Sequence, residues 1–345
     1  MPLSISNSET LPIDLGAKSD RRWLTAWLLA LVLTVSLYAG WEAFCRYHGL
    51  KPEPVSDTPE LWAKTRDLAS QQGQDATILI GASRIQLGIN LDVLSQYTKH
   101  HPVQLAIDGS SFWPVLENLS LDNKITGTVI VSINMSTFAR NSDVGRSAEW
   151  VAYYNEIKDS RGLYSDFEAL LQHHFDAIFA TRTSGIKPLQ FNKLVGDDSR
   201  PYRQYLTMQR NRSRQADYSK VKIIEAYKAR LESEHGDDGP VTTRVISDFE
   251  QRLARLEAMI QKIQQRGGRV ILVRFPTDKL IWEIDNQKYP RKLYWDRLAA
   301  STAAETIHFM DYPQLSKFSL PDGSHLDYRD AIPFTESLAK LVFDK

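Results

Sequence analysis

The feature that most constrains this chain is an uncharged, apolar run near its start, residues 23–41, which reads "WLTAWLLALVLTVSLYAGW". A helix needs roughly 20 mostly apolar residues to cross the core of a bilayer, and this run has that length. A helix buried in a soluble core usually keeps one polar stripe, and this run keeps none. We therefore predict a transmembrane signal anchor over residues 21–44. Because small residues stand near the end of the run, a cleaved signal peptide is the alternative.

Basic residues before the apolar run predict its orientation. They are Lys18, Arg21 and Arg22. Since basic residues favour the cytoplasmic side of a membrane, residues 1–20 are expected to form a cytoplasmic tail. Everything after the helix then lies outside the cytoplasm, in the periplasm if the source is Gram-negative. The sequence therefore predicts a single-pass protein of the inner membrane.

Strand-like and helical segments alternate through most of the remaining chain. A charged connector with a short helix, residues 45–75, comes first, and residues 76–345 are predicted to form one α/β domain. The predicted strands cover residues 77–81, 103–107, 128–134, 269–275 and 306–311. Such alternation implies a parallel sheet with helices on both faces, here a flavodoxin-like, doubly wound one. Residues 135–240 interrupt the alternation and are predicted to form a mostly helical insertion.

Composition excludes several kinds of function. The chain has 42 Lys and Arg against 42 Asp and Glu, so no nucleic-acid partner is expected. Cys45 is the only cysteine, which rules out an intramolecular disulfide. The glycines of a dinucleotide fingerprint are missing, so no cofactor is predicted. The pairs His100-His101 and His173-His174 lack a carboxylate or cysteine at ligand spacing, so no metal site is predicted either.

Three of the predicted strands end near residues that could carry chemistry. Ser83 follows the first strand, Gly109 the second, and Asn134 ends the third. Because ligands of doubly wound sheets bind at the carboxyl ends of the strands, these residues should face one rim. A serine hydroxyl is a weak nucleophile until an adjacent base takes its proton. The next requirement is therefore a base at the same rim.

The base is predicted to come from "DGSH", residues 322–325, in a loop after the last strand. That loop should open on the same rim as Ser83. Asp322 can then bind the imidazole Nδ1–H of His325, which leaves Nε2 free to face the serine, as in a Ser-His-Asp triad. The backbone N–H groups of Ser83 and Gly109 are candidates for the oxyanion hole, because a glycine lets substrate approach the backbone.

These stretches resemble the SGNH (GDSL-like) hydrolase superfamily, and more narrowly its membrane-anchored branch associated with acyl modification of bacterial envelope polysaccharide or teichoic acid. The resemblance rests on "GASRIQLGIN", "AIDGSS" and "DGSHLD", and it covers about residues 75–135 and 243–345. The Gly-x-Ser-x-Gly elbow of α/β-hydrolases is excluded, because Ile85 stands at its second glycine.

The resemblance implies a role for each candidate residue. Ser83 would be the nucleophile, His325 the base, Asp322 the residue that orients the base, and Gly109 an oxyanion donor. The third block of the family usually carries Gly-x-Asn-Asp, whereas the third strand here ends in "SINMS". Asn134 is therefore a loose match for the remaining oxyanion donor.

The resemblance implies an extracytoplasmic, serine-dependent acyl transfer on an envelope or exported polysaccharide, by an O-acetyltransferase or an acetylesterase. Proteins of this kind often work with a multi-spanning membrane acyltransferase that exports the acyl group, so such a partner is expected. The alternative is a non-catalytic protein of the same fold that assists polysaccharide assembly or binds glycan. The loose third block and the long insertion keep that alternative open.

Two further features admit more than one interpretation. Arg84 could bind a carboxylate or an acyl donor beside the nucleophile, or it could pair with an aspartate such as Asp108. The stretch from Arg200 to Arg230 is locally basic and contains several tyrosines. An anionic glycan or lipid headgroup could lie along it, although a solvated helical face is the preferred interpretation.

Overall fold

The structure is a computed structural model and describes residues 21–47, 52, 55–139, 144–158, 171, 175, 178–182, 205–221 and 243–344. The chain divides into two compact units, Met1–Gly49 and Leu50–Lys345. In the first unit, the described residues form one helix, α1, Arg21–Tyr47. Its segment Trp23–Tyr47, 25 residues, is long and apolar enough to cross a membrane. This agrees with the apolar span predicted from the sequence.

A five-stranded parallel sheet forms the centre of the second unit. In chain order the described strands are β1 Thr77–Ile80, β2 Val103–Gln104, β3 Thr128–Ser132, β4 Leu206–Met208, β5 Arg214–Ala216, β6 Arg269–Arg274 and β7 Glu305–His308. The sheet has the order β2-β1-β3-β6-β7, and all neighbouring pairs are parallel. β4 and β5 pair antiparallel as a separate hairpin. The predicted α/β class is confirmed, with a strand at each of the five predicted positions.

The strand order determines where a ligand would bind. Counting only its own strands, the sheet has the order 2-1-3-4-5, so the winding reverses between β1 and β3. β2 is shorter than predicted, yet the chain beyond it still follows β1. There the N–H groups of Leu105 and Ile107 donate to the carbonyls of Leu79 and Gly81 at 2.8 and 3.0 Å. This continuation carries Gly109 towards the carboxyl ends of the strands.

Helices cover both faces of the sheet. They are α2 Pro59–Gln72, α3 Ser83–Gly88, α4 Leu91–Leu94, α5 Trp113–Leu121, α6 Met135–Phe138, α7 Arg146–Ile157, α8 Phe249–Gln264, α9 Lys279–Lys288, α10 Trp295–Ser301, α11 Pro313–Ser316 and α12 Tyr328–Phe343. Successive strand side chains point to opposite faces, so each strand supplies two cores. Ile78 and Val129 belong to the core that includes buried residues of α2, α5 and α8. Leu79 and Ile130 belong to the other, with residues of α4 and α12.

The connector predicted for residues 45–75 contains a helix that belongs to the α/β unit. Helix α2 starts after Thr58, whose side chain caps it by accepting the N–H of Leu61 at 3.2 Å. Trp62 is fully buried, and its indole N–H donates to the carbonyl of Leu105 at 3.0 Å. Because this indole fills the core beside β2, the unit begins before residue 76, earlier than predicted.

The insertion predicted as mostly helical contains both a helix and a hairpin in its described part. Helix α7 is amphipathic enough to bury Trp150 and Tyr154. At residues 205–221 the structure differs from the helical expectation, because β4, β5 and a following turn occupy this stretch. Each of these strands has only three residues, too few for the apolar alternation that reveals a strand in a sequence.

Candidate active site

Ser83 stands where β1 ends and α3 begins. β1 ends at Ile80, Ala82 is the N-cap of α3, and Ser83 is the first residue of the helix. Gly81 has a φ of +142°, and a Cβ at this position would lie 2.8 Å from the Cβ of Ser132 on β3. A glycine is therefore needed for the chain to turn so close to the neighbouring strand. The turn leaves Ser83 partly exposed at the carboxyl rim of the sheet.

The loop after α11 brings Asp322 and His325 to the same rim. Gly323, which follows Asp322, has a φ of +80°. Its carbonyl accepts the N–H of Asp278 at 2.9 Å, which fastens the loop to the chain that follows β6. A Cβ on Gly323 would lie 3.1 Å from Cγ1 of Ile281, so a larger residue would push the loop away. The position of the loop therefore depends on this glycine.

A continuous chain of hydrogen bonds joins the three predicted triad residues. The Oγ of Ser83 lies 2.8 Å from Nε2 of His325, and Nδ1 of His325 lies 2.8 Å from Oδ2 of Asp322. Ser83 and His325 are 242 residues apart in the chain. In a Ser-His-Asp triad the base takes the serine proton at Nε2 while the carboxylate orients the ring through Nδ1. The fold brings the side chains together in that order.

Asp322 accepts hydrogen bonds on both carboxylate oxygens. Its Oδ1 accepts the N–H groups of Ser324 and His325 at 2.9 and 2.7 Å, and its Oδ2 also accepts the hydroxyl of Tyr218 at 2.5 Å. Burial alone would raise the pKa of Asp322, but the neighbouring His325 and these hydrogen bonds hold that pKa well below its usual range. Because an ionised carboxylate only accepts, Nδ1 of His325 carries the proton and Nε2 accepts from Ser83.

The oxyanion candidates follow the first three strands of the sheet in chain order, β1, β2 and β3. Ser83 begins a helix, and the first N–H groups of a helix have no partner within it. Gly109 lies in an exposed turn with a φ of +69°, and a Cβ there would meet no atom within 4 Å. The space in front of this glycine is therefore open. Asn134 is the N-cap of α6, and its Oδ1 accepts the N–H of Thr137 at 2.8 Å and the hydroxyl of Ser136 at 2.7 Å. These contacts do not use its amide NH2 group, so its role as an oxyanion donor stays a prediction.

Arg84 joins the helix of the nucleophile to the loop of the base. Its Nη2 donates to Oγ of Ser324 at 3.1 Å. Its Nη1 is buried and has no hydrogen-bond partner within the described part of the chain. Burial lowers the pKa of Arg84, while the charges of Asp285 and Asp322 act in the opposite direction. The substrate contact considered for Arg84 in the sequence stays a prediction, because this free donor is buried.

Asp108 pairs with a different arginine from the one considered in the sequence. Its carboxylate lies 3.0 Å from Nη1 of Arg214 on β5, so the alternative pairing with Arg84 is wrong. Burial would raise the pKa of Asp108, but the charge and hydrogen bond of Arg214 hold it below its usual value. The competing arginine comes from the insertion, whose position could not be inferred from the order of the strands.

The basic stretch between Arg200 and Arg230 is not a solvated helical face in its described part. Arg212, in the turn of the hairpin, is fully buried and donates from Nε and Nη2 to the two oxygens of Asp57 at 2.7 and 2.9 Å. Arg212, and Arg214 through Asp108, therefore bind the α/β unit, whereas Arg210 and Lys220 are exposed. Some residues of the stretch, among them Arg203 and Lys222, lie outside the described residues.

Tyr218 touches the site and was not found from the sequence. Its hydroxyl donates to Asp322 across 104 residues of chain. The tyrosines of the basic stretch were considered only as surfaces for stacking on sugars, but Tyr218 is 6% exposed. No local motif accompanies it, so the sequence carried no signal for this contact.

The β6–β7 end of the rim holds a buried cluster around His308. The edges of Trp282 and Trp295 pack against its imidazole, with ring centroids 5.2 Å apart in each case. Burial, with the charges of Arg291 and Arg274, lowers the pKa of His308 to about 3. His308 is therefore neutral at physiological pH. Trp282 and Trp295 contribute to the packing of this cluster.

The histidine pairs set aside in the sequence do not form a ligand cluster where they are described. His101 contacts Asn211 at 3.0 Å, and His100 lies 3.8 Å from Asp75. Within the described ranges, no group of three His, Cys, Asp or Glu side chains is placed to hold a metal ion. His173 and His174 lie outside the described residues.

No protein-family model matches the chain, and no curated protein matches it either. The resemblance to SGNH hydrolases therefore stays a prediction. What the chain can do has to follow from the side chains that the fold brings together.

Proposed function

We propose that this chain is a membrane-anchored, extracytoplasmic acyl-transfer enzyme of the SGNH type, an O-acetyltransferase or acetylesterase acting on an envelope or exported polysaccharide. The observation that carries the proposal is the chain of hydrogen bonds from Ser83 through His325 to Asp322, with 2.8 Å at each link. A chance Gly-x-Ser turn and a chance Asp-x-x-His would not meet in this way. The doubly wound strand order and the position of all three residues at the carboxyl rim support the same proposal.

The proposed mechanism begins with attack of Ser83 Oγ on the carbonyl carbon of an acyl ester, as the serine proton passes to Nε2 of His325. The N–H groups of Ser83 and Gly109 stabilise the tetrahedral oxyanion. Asp322 stabilises the imidazolium and does not take its proton. When the ester C–O bond breaks, His325 gives its proton to the leaving oxygen and the acyl group stays on Ser83.

The second half-reaction determines whether the enzyme is a transferase or an esterase. A sugar hydroxyl or a water molecule gives its proton to His325 and attacks the carbonyl carbon of the acyl-enzyme. As the bond to Oγ breaks, His325 returns the proton to Ser83, and the acyl group leaves on the sugar or as the free acid. Exclusion of water would favour transfer to the sugar. In this proposal α1 holds the domain at the outer face of the inner membrane, next to a multi-spanning acyltransferase that supplies the acyl group.

The experiment that tests this function uses the full-length protein in detergent, a fluorophosphonate probe and a chromogenic acetyl ester. We expect the probe to label Ser83, as peptide mass spectrometry would show. Ser83→Ala should lower ester hydrolysis by at least about 10³-fold, because the nucleophile is removed. Ser316→Ala, which changes an exposed serine outside the site, should leave both readouts unchanged. Membrane fractionation of the same protein at its uncleaved mass tests the anchor.

The competing function is a non-catalytic SGNH-like protein that binds glycan or assists its assembly. If wild type and Ser83→Ala hydrolyse the ester equally slowly and neither forms an adduct, the catalytic proposal is overturned. A shortened, soluble product would overturn the anchor separately and would leave the chemistry unaffected.

A further inference from the structure

The hairpin of the insertion is fastened to the α/β unit by one buried arginine. Besides its two bonds to Asp57, Arg212 donates from Nη1 to the carbonyl of Gln104 at 2.6 Å and from Nη2 to the carbonyl of Ala106 at 2.9 Å. Both carbonyls lie at the end of β2, which is the edge strand next to the strand that leads to Ser83. Arg212 therefore satisfies the open edge of the sheet with a side chain from the insertion.

The backbone at Arg212 also indicates a specific docking. Its φ of +61° is in the left-handed region, which a residue with a Cβ adopts at a cost. Such a conformation persists only where the surroundings hold it, and here the four hydrogen bonds of the guanidinium do so. The hairpin is therefore built to sit at this edge.

Docking of the hairpin places Tyr218 beneath the acid of the candidate triad. Its ring packs with Tyr205 at a centroid distance of 5.3 Å, in a small cluster that also includes Leu87 of α3. Its backbone N–H donates to Asp327, the N-cap of α12, at 3.0 Å. Packing holds the ring and Asp327 holds its backbone, and the hydroxyl reaches Asp322 in the 322–325 loop.

We infer that Tyr218 is a positioning residue for Asp322, and that the insertion hairpin is part of the catalytic apparatus and not an appendage of the fold. The inference rests on the proposed function. Tyr218 and His325 donate to the same oxygen, Oδ2, while the two backbone donors occupy Oδ1. Tyr218 thereby fixes the rotation of the Asp322 carboxylate. Its hydroxyl and the imidazole of His325 both draw on the negative charge of Oδ2.

Removal of this hydroxyl has two expected consequences. The carboxylate of Asp322 loses one of the groups that orient it, so the imidazole is less well aligned with Ser83. The charge of Asp322 also becomes fully available to the imidazolium, so the acidic limb of the rate profile should move to higher pH. Other charged groups near the pair keep their partners in this variant: Arg84 is held by Ser324, Asp108 by Arg214, and Asp327 by the backbone N–H of residue 218.

The test compares Tyr218→Phe with Tyr205→Phe in the full-length protein. Both substitutions remove one hydroxyl from the same cluster, but only Tyr218 donates to Asp322. For Tyr218→Phe we expect kcat for an acetyl ester to fall about 10-fold with KM nearly unchanged, and the midpoint of the acidic limb to rise. Tyr205→Phe should change neither parameter once rates are corrected for the folded fraction. Equal profiles for the two variants would overturn the inference.

A second measurement separates this inference from the proposed function. Proton and nitrogen NMR of histidine-labelled protein reports the Nδ1–H of His325 whether or not the protein turns over substrate. A downfield Nδ1–H resonance that shifts in Tyr218→Phe and stays in place in Tyr205→Phe supports the positioning role, even if Ser83 proves unreactive. A resonance that is the same in all three proteins refutes the role, even if the enzyme is active.

Discussion

Two histidines at the same rim of the sheet have opposite surroundings. His308 ends β7 and is 2% exposed, and its Nδ1 accepts the N–H of Met310 at 3.2 Å. His325 stands 17 residues further on, has a side chain that is 21% exposed and binds the carboxylate of Asp322 through Nδ1. The imidazole of His308 packs against tryptophan rings and lies near two arginines. The imidazole of His325 binds a carboxylate and a serine hydroxyl.

The difference shows what a base needs beyond its residue type. A general base must gain a proton during the reaction, so it needs a partner that stabilises the imidazolium and a path for substrate. His325 has both. His308 lies beside Arg274 and Arg291, which disfavour a second positive charge, so it stays neutral and serves the packing. Under the proposed function, the His325 end of the rim serves proton transfer, whereas the His308 end holds a neutral histidine in a packed cluster.

The largest expected effect comes from removing each histidine in turn. His325→Ala should lower the rate of Ser83 labelling by a fluorophosphonate at least about 10³-fold, because the serine loses the group that accepts its proton. His308→Asn keeps an acceptor for the N–H of Met310 and should change labelling by less than about 3-fold after correction for the folded fraction. Circular dichroism of both variants gives that correction. Comparable losses in the two variants would break the distinction between the two ends of the rim.

The second expected effect is on stability at the buried end. Arg274 is 4% exposed, and its Nη2 donates to Asp285 at 2.5 Å. Asp285→Asn keeps an acceptor oxygen but leaves the guanidinium charge without its partner. Because Asp285 is itself about a quarter exposed, we expect a loss of about 2 kcal/mol, less than for a fully buried pair. Urea unfolding of residues 50–345, which form their own unit, measures this change.

A matched variant shows whether that loss comes from burial. Asp296→Asn breaks the ion pair of Asp296 with Arg291, whose side chains are 44% and 27% exposed. Pairs this exposed contribute little, so the loss should stay below about 1 kcal/mol. If the two variants lose the same free energy of unfolding, burial does not strengthen the ion pair of Arg274. The His308 end of the rim would then not be the more rigid one.

The parts of this site that could be predicted from the sequence are those with a local signal. Ser83 comes just after an apolar strand, and the carboxyl ends of such strands are where ligands bind. Asp322 and His325 are three residues apart, which is close enough for their side chains to meet, so all three residues could be predicted. Tyr218 and Arg212 had no such signal, because each acts through a contact more than 100 residues away. The strands of the hairpin beside them have three residues each, too few to recognise in a sequence, and a buried arginine looks like a surface arginine there.

The same reason explains two further differences from the sequence predictions. Helix α2 was predicted, but its sequence did not show that Trp62 enters the core, since burial depends on the edge strand it meets. The alternative pairing of Arg84 with Asp108 failed because Arg214 arrives from the insertion. Local periodicity predicts elements, whereas the partners of polar side chains depend on how distant segments dock.

A further prediction sharpens the comparison through pH. The pKa of His308 is about 3 in the folded protein and about 6.5 in an exposed histidine. Between these values the unfolded chain binds a proton at this position and the folded protein does not. Acidification from about pH 6.5 towards 3 therefore favours unfolding, and the stability that His308 contributes is lost over that window.

His308→Asn removes the titration, so its free energy of unfolding should fall less steeply than that of wild type as the pH is lowered. His100→Asn, at an exposed histidine, should follow wild type, and urea unfolding at a series of pH values compares the three slopes. If the slope for His308→Asn equals that of wild type, then His308 is protonated in the folded protein, and the neutral, rigid end of the rim does not exist as described.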